Sequence, residues 1–156
     1  MPQIALDTNV LVYSEGLERA PTDRAKIMLS QVLLEALSVS GEDLVIPAQA
    51  LAELHSVLVR RGGRTPTQAS TTVSRLSRLC DVAPTSPQAL TAALALAGDH
   101  GLQIYDAIIL ACAVETGCDL VLSEDMQDGF GWRGVTVTNP FRQFPEPRIA
   151  TLLSTR

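Results

Sequence analysis

Short apolar runs separated by helical stretches set the strongest limit on what this chain can fold into. Gln3-Ile4-Ala5-Leu6, Leu44-Val45-Ile46, Leu120-Val121-Leu122 and Val135-Thr136-Val137 are too short for helices and too apolar for loops. They read as strands, most of them buried on both faces. A shorter strand is expected around Val82. Between them the spacing predicts helices over 10–17, 24–37, 48–61, 65–79, 86–100 and 106–116, with a last one over 146–153. Their punctuation is explicit: Pro21-Thr22-Asp23, Thr65-Pro66 and Ser86-Pro87 open helices, while Gly62-Gly63, Gly101 and Gly117 close them. Strands that alternate with helices argue an α/β fold, with a mainly parallel sheet and helices on both faces.

Composition narrows the class further. With 156 residues, 46% of them hydrophobic, and a net charge of −5, the chain is expected to fold around a substantial core rather than remain disordered. One domain over 1–156 is expected, its core about 3–140 and a C-terminal extension over 141–156. Cys80, Cys112 and Cys118 are odd in number, scattered and free of CxxC spacing, which argues against a disulfide scaffold or a thiolate zinc site. The most apolar stretch, 107–114, falls well short of the roughly 20 residues that span a bilayer. The N-terminus has no basic region ahead of an apolar one. A cytosolic protein without a membrane span is the expectation.

Charge is segregated. Residues 54–80 hold Arg60, Arg61, Arg64, Arg75 and Arg78 and no acid, whereas residues 81–128 hold eight acids and no base. An arginine patch beside carboxylates suits phosphate contact next to a bound cation, although charge alone reads first as an ordinary solvated helix face. The acids also fall at telling places. Ligands of parallel sheets bind beyond the carboxyl ends of the strands. Asp7 closes the first strand, and Asp125 follows 120–122, with Asp128 three residues on. Glu53 borders the apolar stripe of its helix, where a carboxylate needs a partner. Asp106 immediately precedes Ala107–Val114, apolar on every face, and is placed to cap that core helix. Taken alone, Asp7 and Asp106 read first as helix caps, and Glu53 as readily as a boundary residue reaching solvent. If all converge, they raise each other's pKa, and a hard divalent cation relieves the repulsion.

These residues also carry a resemblance. Ala5-Leu6-Asp7-Thr8-Asn9-Val10, Ile46-Pro47 followed by Glu53-Leu54, Tyr105-Asp106-Ala107-Ile108-Ile109, and Leu122-Ser123-Glu124-Asp125-Met126-Gln127-Asp128-Gly129 together resemble the PIN-domain ribonucleases, and more narrowly the VapC-type toxins of toxin–antitoxin pairs. The likeness covers about residues 3–140. It implies a three-layer α/β/α sandwich and Mg²⁺- or Mn²⁺-dependent endonucleolytic cleavage of RNA by a metal-activated water. The family's acidic quartet carries over to Asp7, Glu53, Asp106 and Asp125. Asp7, Asp106 and Asp125 would bind metal, with Asp128 sharing or replacing the role of Asp125. Thr8, Asn9 and Ser123 match positions that orient the site. Arg60, Arg61 and Arg64, following Glu53, would guide RNA. A cognate antitoxin and a homodimer are the implied partners. Ser123-Glu124-Asp125 lacks the base found there in commoner versions, so a substrate contact at that strand end is not carried over.

Other readings differ in what they require. A haloacid-dehalogenase-like phosphatase needs a second Asp two residues after the first and a catalytic lysine, but here Asn9 follows Asp7 and the only lysine, Lys26, is expected on an exposed helix. A dinucleotide-binding module needs GxGxxG after the first strand, and 7–10 holds no glycine. A non-catalytic PIN module for RNA binding or scaffolding, and a PIN nuclease of RNA processing, remain open. His55 and His100 have no visible partners for histidine-based catalysis.

Overall fold

The computed structural model describes residues 3–154. Six strands form one sheet in the order β3-β2-β1-β4-β6-β5. They are β1 (Gln3–Leu6), β2 (Asp43–Pro47), β3 (Asp81–Ala83), β4 (Leu120–Leu122), β5 (Gly131–Trp132) and β6 (Val135–Thr138). All neighbours are parallel except β5 and β6. Ile4 pairs with both Leu44 and Leu120, and Leu6 lies level with Leu122. Ile4, Ala5, Leu6, Val45, Val121 and Leu122 have no exposed surface, as expected of strands covered on both faces.

The helices are α1 (Thr8–Ser14), α2 (Arg24–Ser40), α3 (Ala48–Arg60), α4 (Pro66–Leu79), α5 (Pro87–His100), α6 (Ile104–Thr116) and α7 (Pro147–Ser154). From β1 the chain steps outward through β2 to β3, then crosses back over the sheet to β4 on the other side of β1. Right-handed crossovers therefore place α1 to α4 on one face and α5 with α6 on the other. The packing agrees: α1 lies on α2 and α3, α3 on α4, and α7 on α2, while α5 packs on α6. This is the expected three-layer arrangement.

α6 is the core helix, and Ala107 to Ala113 are all buried. It begins at Ile104, two residues before the sequence suggests, with Gln103 as N-cap and no side-chain capping bond. Asp106 is therefore not the cap. It sits in the first turn, near the positive end of the helix dipole, with both carboxylate oxygens unspent among the described residues. The sequence reading also missed β5. Arg133 and Gly134 have φ of 47° and 86°, a two-residue left-handed turn that matches strand twist and folds β5 back on β6. No helix among the described residues is long and apolar enough to cross a membrane.

Candidate active site

The crossover direction reverses at β1, so the crevice between the carboxyl ends of β1 and β4 is the sheet's switch point. Asp7 stands at one lip and Ser123 to Asp125 at the other. The Asp7 backbone N–H donates to the Leu122 carbonyl at 3.0 Å, and the Ser123 N–H to the Thr138 carbonyl at 3.0 Å. These bonds continue the ladders one residue past the strands and hold both lips rigidly.

Asp7 is only 3% exposed. One carboxylate oxygen accepts from the Thr8 N–H at 2.6 Å, capping α1, and the other from the Ser123 hydroxyl at 2.7 Å. Ser123, fully buried, also accepts the Met126 N–H at 3.2 Å. Removing that hydroxyl strands a buried donor and a buried carboxylate oxygen. Ser123→Ala is expected to cost about 1–2 kcal/mol, read as a lower urea midpoint with an unchanged slope.

Glu53 reaches the same crevice from α3. It accepts from the Thr8 hydroxyl at 3.2 Å and from Gln49 Nε2 at 3.0 Å, one helical turn earlier. The partner that the half-buried Glu53 needs is thus a pair of neutral donors. Asp125 accepts from Asn9 Nδ2 and, at 3.1 Å, from Arg19 Nη1. Asp106 has no hydrogen bond or ion pair among the described residues.

The acids feel one another. Burial pushes Asp7 up to about 6; its bonds to Ser123 and Thr8 oppose this, and the charges of Asp125 and Glu53 add to it. Burial likewise raises Asp106 to about 6, reinforced by Asp7, Asp125 and Glu53. Four carboxylates from four segments thus share one field. Their chemistry suits a hard divalent cation, because oxygen donors with unrelieved negative charge are what such ions take. As placed, the cluster is electrostatic rather than coordinating. No three acidic, histidine or cysteine side chains among the described residues form a ready-made ligand set.

Asp128 belongs elsewhere. Its oxygens accept the Asn139 N–H at 2.6 Å and the Arg142 guanidinium. That corrects its expected place beside Asp125: three residues past Asp125, it pins the end of β6 instead. The arginines divide as well. α3 ends at Arg60, so Arg61 is its C-cap and Arg64 lies beyond the helix. Arg60 and Arg61 line a cleft of about 310 Å³ together with Thr8, Asn9, Arg19 and Glu53. Arg64 instead donates to Glu15 at 3.1 Å and to the Thr72 hydroxyl at 2.8 Å, tying the end of α1 to α4. Arg64→Ala is expected to cost about 1–2 kcal/mol, read in urea melts.

Sequence reasoning missed a second layer behind Asp125. The Tyr13 hydroxyl donates to Glu124 at 2.7 Å, and Lys26 pairs with Glu124 and, at 3.1 Å, with Asp23. Burial and then the Glu124 bond push the Tyr13 hydroxyl up to about 12. Lys26, expected on an exposed helix, is thus held at the site's edge. The base absent from 123–125 arrives from the α1–α2 loop and the start of α2, as Arg19 and Lys26. The legible signal was Tyr13 itself, whose polar tip follows the apolar run Val10-Leu11-Val12 and needs a buried partner.

The PIN domain family model matches residues 4–127. The chain belongs to the PIN domain family. No curated protein matches it at the level of sequence. Among solved structures, this PIN domain is similar to VapC20 of Mycobacterium tuberculosis, a sarcin–ricin-loop-cleaving toxin, with 17% identity, a TM-score of 0.62, and coverage of 79% of this chain and 90% of that one. A toxin–antitoxin complex from Klebsiella pneumoniae superposes with 22% identity, a TM-score of 0.62, and coverage of 86% and 96%. VapBC2 of Rickettsia felis, bound to a promoter DNA fragment, gives 17%, 0.61, and coverage of 87% and 97%. At these identities the likeness establishes the PIN fold. The sequence-level resemblance and the fold class both stand.

Proposed function

We propose that this PIN domain is a divalent-cation-dependent endoribonuclease and the toxin of a toxin–antitoxin pair. The observation that carries the nuclease reading is the gathering of Asp7, Glu53, Asp106 and Asp125, from four segments, at the carboxyl ends of β1 and β4, where burial and then one another's charge raise Asp7 and Asp106. Such a site holds excess negative charge until a cation enters. Asp7, Asp106 and Asp125 would hold Mg²⁺ or Mn²⁺, with Glu53 a ligand or an orienting group for water. When bound, the cation supplies water activation and stabilises the leaving oxygen. The chain's own residues do the rest. Ser123 and Thr8 fix the rotamer of Asp7, Thr8 also steers Glu53, and Asn9 steers Asp125. Arg60 and Arg61 offer guanidinium groups to the RNA backbone from the adjoining cleft.

The toxin assignment is supported by the solved neighbours, which include a toxin–antitoxin complex and a VapBC assembly on promoter DNA. An antitoxin, a second copy of the chain and a cytosolic RNA substrate complete this reading. The test is incubation of purified protein with pooled tRNA and structured RNA in Mn²⁺, Mg²⁺ or EDTA. Cuts that require the metal support the nuclease. Intact RNA in every condition, with no metal binding by calorimetry, would leave a non-catalytic PIN module. Co-expression with the product of an adjacent small gene tests the antitoxin, and light scattering tests the dimer.

A further inference from the structure

The arginine-lined cleft and the acid cluster share one cation. Arg19 lies in the α1–α2 loop, where its backbone N–H donates to Asp23 at 3.0 Å, so its base is anchored. Its guanidinium points back to the site: Nη1 is 3.1 Å from Asp125 and 3.7 Å from Glu124. Glu124 does not depend on it, being served by Tyr13 and Lys26. Asp125 does, because its other partner, Asn9, is neutral. Arg19 also lines the same cleft as Arg60 and Arg61, both exposed and without ion-pair partners among the described residues.

The Arg19–Asp125 pair is partly open to solvent, with side chains 38% and 44% exposed. Such pairs are weak and exchange readily. A divalent ion at the cluster would outbid a single guanidinium for Asp125. The released guanidinium would face the cleft already lined by two arginines, with the planar fork that suits a phosphodiester oxygen pair.

We propose that Arg19 is the resident counter-cation of Asp125, and that an entering divalent ion displaces it into the cleft, where with Arg60 and Arg61 it holds an RNA phosphate. This rests on the metal-dependent reading above and adds to it a positioning residue and an order of binding: metal first, then RNA.

The test compares the full chain with Arg19→Ala, Arg19→Gln and Arg19→Lys, their folding checked by circular dichroism. Mn²⁺ is titrated calorimetrically without RNA. Loss of the competing charge in Arg19→Ala should tighten Mn²⁺ binding about two- to fivefold, the span that an exposed ion pair represents. Arg19→Gln should behave the same way and serves if the alanine variant misfolds. Arg19→Lys, which keeps the charge, should retain wild-type metal affinity. A fluorescent RNA hairpin is then followed by anisotropy in Ca²⁺, with a gel confirming that it stays intact, and in EDTA. Arg19→Ala should weaken RNA binding at least about threefold in Ca²⁺ and leave it unchanged in EDTA. Unchanged or weaker Mn²⁺ binding by Arg19→Ala and Arg19→Gln overturns the proposal. Equal loss of RNA affinity in both buffers also overturns it, since Arg19 would then contact RNA without being displaced. If the wild-type chain binds metal and cuts RNA while its arginine variants bind metal unchanged, this inference alone fails. If the wild-type chain binds no metal, the nuclease reading fails with it.

Discussion

Asp106→Asn is expected to lower metal-dependent RNA cleavage by at least about a hundredfold while leaving the fold intact. Asp106 lies in the first turn of α6, directly ahead of its buried residues, and makes no hydrogen bond among the described residues that the amide would break. Its environment raises it to about 6, through burial first and then through Asp7, Asp125 and Glu53. The asparagine is nearly isosteric and relieves that repulsion, so the metal-free variant should melt no lower than the wild type. Activity should behave in the opposite way, because an amide cannot supply the charge that holds a divalent cation. Single-turnover cleavage with Mn²⁺, beside a thermal melt without metal, separates the two effects. A variant that cuts at the wild-type rate would remove Asp106 from the site. A variant that unfolds would make it a structural residue.

The metal-free protein should also become more stable as the pH is lowered from about 7 to 5, and divalent metal should abolish that gain. The sign follows from the direction of the shifts. Asp7 and Asp106 rise from 3.8 to about 6 on folding. Between these values the folded chain binds more protons than the unfolded one, so stability falls as pH rises through that window. Above about 6 the folded state carries the full penalty of the buried charges. For the 3%-exposed Asp7 this is roughly 2–3 kcal/mol. Lowering the pH from about 7 to 5 recovers about half of it, and for a chain of this size that corresponds to about 3–6 °C in Tm. Carboxylates shifted the other way do not interfere. The Arg148 hydrogen bond holds Asp119 below the usual carboxylate range, and the Asn139 amide, against the cost of burial and aided by Arg142, does so for Asp128. Their stabilisation is lost only as pH falls below the ordinary value, outside this window. Melting curves at pH 5 and 7.5, each with EDTA or Mn²⁺, check the effect. A flat response in EDTA would mean that burial and neighbouring charge do not raise these two carboxyls.

The same electrostatics explain why the Arg19 pair and the metal reading belong together. One guanidinium offsets one of the four carboxylates, and it is attached to the acid nearest solvent. Asp7 and Asp106 have no such cationic partner among the described residues, and burial and the neighbouring charges raise both.

The sequence by itself determined most of the scaffold. Apolar runs of three or four residues can only be strands here, and Thr65-Pro66, Ser86-Pro87, Gly101 and Gly117 act through neighbouring backbone alone, so α4, α5 and the end of α6 were readable without tertiary knowledge. Strand-end placement likewise made Asp7 and Asp125 legible as candidates, because the chemistry of parallel sheets puts ligands there. What the sequence misread was set by partners distant along the chain. α6 gains an extra half-turn at its start because Ile104 has core to pack against, which moved Asp106 from cap to first turn. Asp128 and Arg64 carry the right charges for the site, yet Arg142 and Glu15 claim them. Arg19, Lys26 and Glu124 carry no local signal at all. They meet across 98 or more residues of chain only because α1 and α2 fold over the end of β4. Local propensity and strand-end position reach no further than the backbone they act on, whereas ion pairing follows proximity in space, and that only the tertiary structure decided.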